Sequence, residues 1–413
     1  MTAPLVKGWC PGALRPMVSG DGLLVRVRPP AGRLEQTQAA GIARLAAQYG
    51  NGLVELSTRG NIQLRGINGG SHAPLIAGLA ALGLTDPTPE AEARRNIVVT
   101  PYWRAGDGTR DLAERLAHAL RDMGQPSPET SQKTSTGTPP GPASVRTACV
   151  ADLPSKFGFA IDTGPWPVLR GVSADIRIER DAAGALLCRA DGADCGARVT
   201  PDTMAGTVLE LVRWFMAGGM RGRMAARLSS GATLPTGLAS IPALPVRDIP
   251  PPLPGPTAAG VMVGFAFGQM HAHTLAALAA IAPLRVTPWR MLLLEGQAQP
   301  PRMDHLLTRP DDPLLRVIAC PGAPDCAQGL QATRPLARAL APHIPPDAVL
   351  HVSGCAKGCA QPGPTALTLV AQQQGFGLVR NGNATATVTR HVTPEHLLAT
   401  PELLTERSNA PLL

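Results

Sequence analysis

The chain has 413 residues, too many for one small core and enough for two or three domains with ligand-sized interfaces between them. Charged residues at 16% and hydrophobic ones at 44% exclude a wholly disordered chain, while 44 Gly and 43 Pro predict many turns. The formal charge of +8 comes almost entirely from arginine, the only lysines being Lys7, Lys133, Lys156 and Lys357; the arginines are scattered, with no basic run and interleaved aromatics, which argues against nucleic acid and suits an anionic ligand.

A GC-rich coding sequence also inflates arginine, alanine, glycine and proline together, so charge alone decides little. The first residues lack an apolar signal core, and no stretch approaches the ~20 apolar residues needed to cross a bilayer. The expectation is a cytoplasmic protein with no membrane partner.

In chain order, Leu23 to Val27 reads as a strand and Leu34 to Tyr49 as a helix, with Gln38, Ile42, Leu45 and Ala46 at helical spacing. Asn51-Gly52 turns the chain into a further strand, Val54 to Gly66. Residues 124–145, rich in Pro, Ser, Thr and Gly, predict a mobile loop. Strands follow at Phe157 to Ile161 and Ala174 to Glu179, then a helix at Met204 to Met216 and a proline-rich connector at Pro242 to Pro256.

A second copy of the first plan begins at Val261 to Phe265, continues through a helix at His273 to Ala282, and returns as Leu284 to Gly296. Two copies are too few for a solenoid, so they predict a pseudo-twofold pair completing one core.

Eight cysteines in such a chain do not suggest a disulfide framework. Cys320, Cys326, Cys355 and Cys359 are spaced Cys-x5-Cys and Cys-x3-Cys, each pair opening after a short strand, Leu315 to Ala319 and Val349 to Val352. Four thiolates suit a four-iron, four-sulfur cluster; structural zinc is the rival, but its usual pairs are Cys-x2-4-Cys. Cys10, Cys149, Cys188 and Cys195 have no comparable spacing and are assigned to core or surface.

Between Ser57 and Gly66, period-two alternation puts Arg59, Asn61, Gln63 and Arg65 on one face and Ile62 and Leu64 on the other. Four long hydrogen-bonding side chains without an acid among them suggest an anion-reading face. The matching positions of the second copy, Trp289, Met291, Leu293 and Glu295, do not. Arg94-Arg95-Asn96 and Leu153-Pro154-Ser155-Lys156-Phe157 are further basic spots. The one close histidine pair, His271 and His273, reads as the polar start of a helix.

Together the strand, the Arg-Asn at 95 and 96, the Leu-Pro-x-Lys-Phe motif and the four cysteines resemble the sulfite/nitrite reductase family, in the family's order along the chain. That resemblance implies an α+β fold: a pseudo-twofold pair of ferredoxin-like half-modules (10–75 and 257–300) plus two sulfite-reductase-like α/β domains (76–241 and 310–400), the second carrying the iron-sulfur cluster. It implies that Arg59, Arg95 and Lys156 line an anion site above a sirohaem, and that Cys359 bridges cluster and haem iron.

Two departures weaken the anion-reductase reading: Gly158 stands where sulfite reductases have a second lysine, and Ala356-Lys357 where Pro-Asn is common. Cys10-Pro11-Gly12-Ala13, the Ser19 to Arg26 segment and Ser-Gly-Cys-Ala-Lys-Gly-Cys are more similar to the precorrin-3B synthase branch. For that branch the resemblance implies precorrin-3A as substrate, a tetrapyrrole held where a reductase holds sirohaem, by Arg59, Asn61, Gln63, Arg65, Arg94 and Lys357. It implies O2-dependent hydroxylation at C20 with γ-lactone closure, an electron donor of unknown identity, and an additional non-haem iron for which no ligand pattern declares itself.

Overall fold

The structure is a computed structural model that describes residues 9–123, 153–219, 222–245 and 249–404. The segment 124–145, Lys7, Lys133 and Cys149 lie outside those residues.

A five-stranded sheet and a six-stranded one, built on one plan, form the centre, Leu306–Leu307 being the second sheet's extra strand on Gly260–Phe265. The first runs Met17–Ser19, Gly22–Val27, Ile62–Ile67, Leu53–Leu56 and Gln269–His271; the second runs Gly255–Thr257, Gly260–Phe265, Met291–Glu295, Leu284–Val286 and Arg33–Leu34. The edge strands are exchanged: Arg33–Leu34, from the first copy, pairs with the second copy's sheet, and Gln269–His271 returns the exchange. Left-handed turns at matching places direct each strand outward, through Ala31 and Gly32 (φ 50° and 71°) and through Phe267 and Gly268 (φ 59° and 73°).

Helix Gln36–Tyr49 starts at a capping box between Glu35 and Gln38. It packs against helix Ala272–Ile281, and both copies feed one apolar core that includes Val25, Ile42, Leu64, Val263, Leu275 and Leu292. Ile62 and Leu64 are fully buried, worth about 1.5–3 kcal/mol each. A one-residue slip would drive Arg65 and Gln63 into that core, so the alternation also sets the register.

A third, six-stranded sheet runs from Ile241–Pro242 to Ile97–Val99, with Phe159–Ile161 parallel to both Ile97–Val99 and Ile176–Arg180. Helices Thr109–Asp122 and Met204–Ala217 supply apolar side chains to its core, which also buries Cys188. Asp162 follows the strand Phe159–Ile161 and accepts a 2.6 Å hydrogen bond from Leu169 N, yet burial pushes its pKa up to about 7. The folded state therefore holds this proton more tightly than the unfolded chain, whose value stays near 3.8, and stability falls as pH rises through that interval. Asp162→Asn is expected to stabilise the protein at pH 8 by on the order of 2–4 kcal/mol, the gain shrinking towards pH 4; urea unfolding at both pH values measures it.

The fourth sheet places Val317–Ala319, Leu350–Ser353 and Thr365–Ala371 in parallel, followed by antiparallel Phe376–Gly382 and Arg390–Val392. Its core includes Val352, Leu369, Phe376 and Leu340 of helix Arg334–Leu340. Among the described residues, no helix is long and apolar enough to cross a membrane.

Candidate functional site

The outer face of the first sheet is polar across four strands. Arg26, Gln63, Glu55 and Gln269 stand in register as one row. They are joined by hydrogen bonds of 2.7 Å (Arg26 to Gln63), 3.4 Å (Gln63 to Glu55) and 3.2 Å (Gln269 to Glu55). The second sheet differs: Met262, Met291 and Leu293 form an apolar patch packed against Tyr102 and Trp289.

Several donors on the polar face are buried without an acceptor among the described residues: Arg26 Nε, Arg28 Nε and Asn61 Nδ2. Burial pulls the Arg26 pKa down to about 10, with Arg28 and Arg59 pulling the same way and Cys10 opposing. Arg59 is also lowered, by burial first and by Arg223. Crowded, desolvated cations of this kind are relieved by an anionic ligand.

Beside this face, residues of the first module and the third-sheet domain line a cavity of about 950 Å³, the size of a substantial ligand pocket. Its walls carry Arg15, Arg28, Arg94, Lys156 and Arg223. Of the two glutamates there, Glu92 is occupied, accepting from Ala13 N at 2.6 Å and Leu14 N at 3.1 Å and pairing with Arg28. Arg59 and Arg223 both donate to the Lys156 carbonyl, at 3.2 and 3.0 Å, which sets the Leu153 to Phe157 segment at the cavity edge.

The sequence-predicted residues therefore divide. Arg59, Asn61, Gln63 and Lys156 gather on the polar face or its cavity, whereas Arg94 borders the cavity but is buried and donates to the Leu120 and Arg121 carbonyls at 2.9 and 3.5 Å. Arg95 is forked onto Asp86 (2.8 and 2.9 Å), donates to the Arg28 carbonyl, and lines a separate, smaller cavity. Arg65, 2% exposed, is forked onto Asp21 (2.8 and 2.9 Å), pairs with Glu55 at 3.4 Å, and donates to Ser19 Oγ and the Asp325 carbonyl. These internal partners take up the guanidinium groups of Arg65 and Arg95, so neither faces the ligand space as expected. Lys357 lies between Cys355 and Cys359, where its charge favours the Cys359 thiolate. Arg26 and Arg28 were missed, although Val25 and Val27 alternate with them and give the signal.

Cys320 and Cys355 each follow adjacent parallel strands, with Ala319 beside Val352, so their loops emerge side by side. Burial raises the Cys320 and Cys359 thiols, and all four cysteines enter one another's electrostatics. Gly354 N donates to Cys320 Sγ at 3.0 Å, and a Cβ on Gly354 would stand 2.9 Å from Gly322 Cα and 3.2 Å from that sulfur. Glycine is needed for this approach, and Gly322 and Gly358 (φ 68° and 59°) turn the loops.

Each half of the pseudo-twofold pair holds one cysteine loop. In the first, Ser19 Oγ, Gly20 N and Arg65 all donate to the Asp325 carbonyl, beside Cys326. In the second, Arg290 donates to the Ala360 carbonyl at 2.7 Å, beside Cys359. Arg290 has φ 59° at the turn where the first copy has Gly60 at 63°. Glu55 lies between the halves: burial would raise its pKa, but Arg334 and Arg65 outweigh this and hold it below the usual carboxylate range.

Residues 15–82 match the nitrite/sulfite reductase ferredoxin-like half domain. The chain is 30% identical to a precorrin-3B synthase of Sinorhizobium sp over 419 aligned positions, covering 92% of this chain and 84% of the relative. The chain belongs to the precorrin-3B synthase family. A ferredoxin–nitrite reductase of Synechococcus elongatus is 28% identical over 155 positions, covering 36% of this chain and 26% of the relative. The structure of the Mycobacterium tuberculosis NirA protein superposes with a TM-score of 0.59 at 17% identity, covering 94% and 82% of the two chains, and so shares the fold.

As a precorrin-3B synthase relative, the chain belongs with proteins of cobalamin biosynthesis in the nitrite/sulfite reductase superfamily. Gly158 adjoins the Leu153 to Phe157 segment. A Cβ there would stand 2.8 Å from Asn96 Nδ2, which itself donates to the Phe157 carbonyl, so a second lysine does not fit without moving Asn96. The four thiols and their glycine-lined loops suit the cube of a four-iron cluster, in which each thiolate takes its own iron. Among the described residues, no group of three or more His, Cys, Asp or Glu, the four cysteines included, is arranged to hold a metal ion as it stands.

Proposed function

We propose that this protein is a cytoplasmic monooxygenase that hydroxylates precorrin-3A at C20 with O2 and closes the ring-A acetate to a γ-lactone. The observation that carries the reading is the cavity of about 950 Å³ whose walls carry Arg15, Arg28, Lys156 and Arg223, beside a sheet face on which burial lowers the pKa of Arg26. Arg59 stands in the turn before the strand Ile62–Ile67 that carries Gln63, so the polar side chains are spread along one hairpin, where they can meet carboxylates around a macrocycle.

Arg26, Arg28, Arg59, Asn61 and Lys156 take the propionate and acetate groups by hydrogen bonds, those from the cations charge-assisted and each worth about 1.5–3 kcal/mol. Holding several carboxylates at once fixes the macrocycle's rotation and so which bridge carbon is presented for attack. Cys320, Cys326, Cys355 and Cys359 would hold a four-iron, four-sulfur cluster, which supplies electrons one at a time from an external donor. The absence of a second lysine at position 158 disfavours a reductase that grips a small oxyanion above sirohaem.

Protein purified without oxygen tests the reading. It is expected to contain iron and sulfide without extractable sirohaem, and to place one atom of 18O2 in the product of precorrin-3A. Stoichiometric sirohaem, or no label in the product, overturns it. Arg59→Ala is expected to leave the visible spectrum unchanged and weaken precorrin-3A binding about tenfold or more, read as Kd by fluorescence quenching.

A further inference from the structure

The segment Cys10-Pro11-Gly12-Ala13-Leu14 is pinned from three sides. Glu92 accepts from Ala13 N and Leu14 N, His72 Nε2 donates to the Ala13 carbonyl at 3.0 Å, and Arg26 N donates to the Gly12 carbonyl at 3.1 Å. A Cβ on Gly12 would stand 2.2 Å from Glu92 Oε2, so a larger residue would dislodge that carboxylate. The segment is thereby fixed at the wall of the large cavity, which Trp9, Cys10, Gly12 and Arg15 line.

Trp9 differs from the other tryptophans. Trp103, Trp214 and Trp289 pack on apolar clusters, and Trp166, 51% exposed, does not line the cavity. Trp9 is half-buried in the cavity wall, with the Arg15 guanidinium 4.6 Å over its ring. Arg15 takes one face of the indole by a cation–π contact, and what fills the cavity meets the rest. Phe157, the other aromatic residue of the wall, is 2% exposed and packed on Phe159 and Phe215, so it offers little surface.

The cations of the wall can grip carboxylates at the rim of a tetrapyrrole, but they do not cover its broad, largely apolar faces. An indole at the same wall is suited to that contact. We propose that Trp9 packs its indole against a face of the bound macrocycle, while Arg15 holds the ring in place. Trp9 is then a substrate-binding residue, and the pinned segment presents it before the ligand arrives, so little ordering remains to be done on binding. The proposal rests on the tetrapyrrole reading above.

The test is anaerobic equilibrium binding of precorrin-3A, read as Kd and as the shift of the ligand's visible band at saturation. Trp9→Ala is expected to weaken binding about tenfold and to reduce the band shift, whereas Trp9→Phe, which keeps a ring, stays within about threefold of wild type and keeps the shift. Urea unfolding of both variants should match wild type, because among the described residues Trp9 enters none of the apolar clusters. Wild-type Kd and band shift in Trp9→Ala overturn the proposal. Should that variant not fold, hydroxyl-radical footprinting of the wild-type protein decides. Protection of Trp9 by precorrin-3A with Trp166 unchanged supports the contact, and equal oxidation of Trp9 with and without ligand overturns it. Wild-type protein that binds no precorrin-3A would instead overturn the proposed function, a separate failure.

Discussion

Cys359→Ala protein, purified without oxygen, is expected to lack the broad visible absorption of a four-iron cluster and to lose most of its iron and sulfide. Cys320→Ala should behave the same way. The two residues sit on different loops, yet both belong to one electrostatically coupled set of four thiols. A cube with one thiolate missing has an iron open to solvent. Cys188→Ala serves as the control: its thiol is buried in the third-sheet core, where burial pushes its pKa up to about 12, so it has no thiolate to offer. If Cys359→Ala retains full iron and sulfide, the cluster is not held as proposed.

Arg65→Met is expected to destabilise the fold by about 3–5 kcal/mol, measured by denaturant unfolding, because it leaves Asp21 and Glu55 without their shared partner. It also removes one of three donors on the Asp325 carbonyl, so the Cys320 to Cys326 loop should loosen and cluster loss on exposure to air should quicken. Arg65→Lys should recover part of the charge pairing but not the fork onto Asp21. A residue that bound substrate carboxylate would give the opposite pattern, unchanged stability with weakened precorrin-3A binding, and that result would sink the clamp.

The repeat and the alternation from Ile62 onward were legible because each depends on local periodicity, but the single strand expected from Val54 to Gly66 is two antiparallel strands, Leu53–Leu56 and Ile62–Ile67, with Arg59 in the turn between them. Ile62 and Leu64 entered the core and the polar residues stayed outside it, as period two requires. The same rule applied to Val25, Arg26, Val27 and Arg28 would have found two further cations of the polar face. The reciprocal exchange of Arg33–Leu34 and Gln269–His271 was not legible: a two- or three-residue strand has no periodicity, and its partner lies more than 200 residues away.

The sequence by itself determined the chemistry on offer: four thiolates at a cluster's spacing, a strand with one arginine-rich face, and motifs in the order of the sulfite/nitrite reductase family. Only the tertiary structure decided which of those cations remain available. Arg95 meets Asp86, nine residues back, and Arg65 meets Asp21, 44 residues back, while the Arg59 side chain donates to the Lys156 carbonyl. Alternation fixes the face on which a side chain stands. Whether a carboxylate stands within reach there depends on how distant segments pack, and that distance sets whether an arginine binds a ligand or holds the fold together.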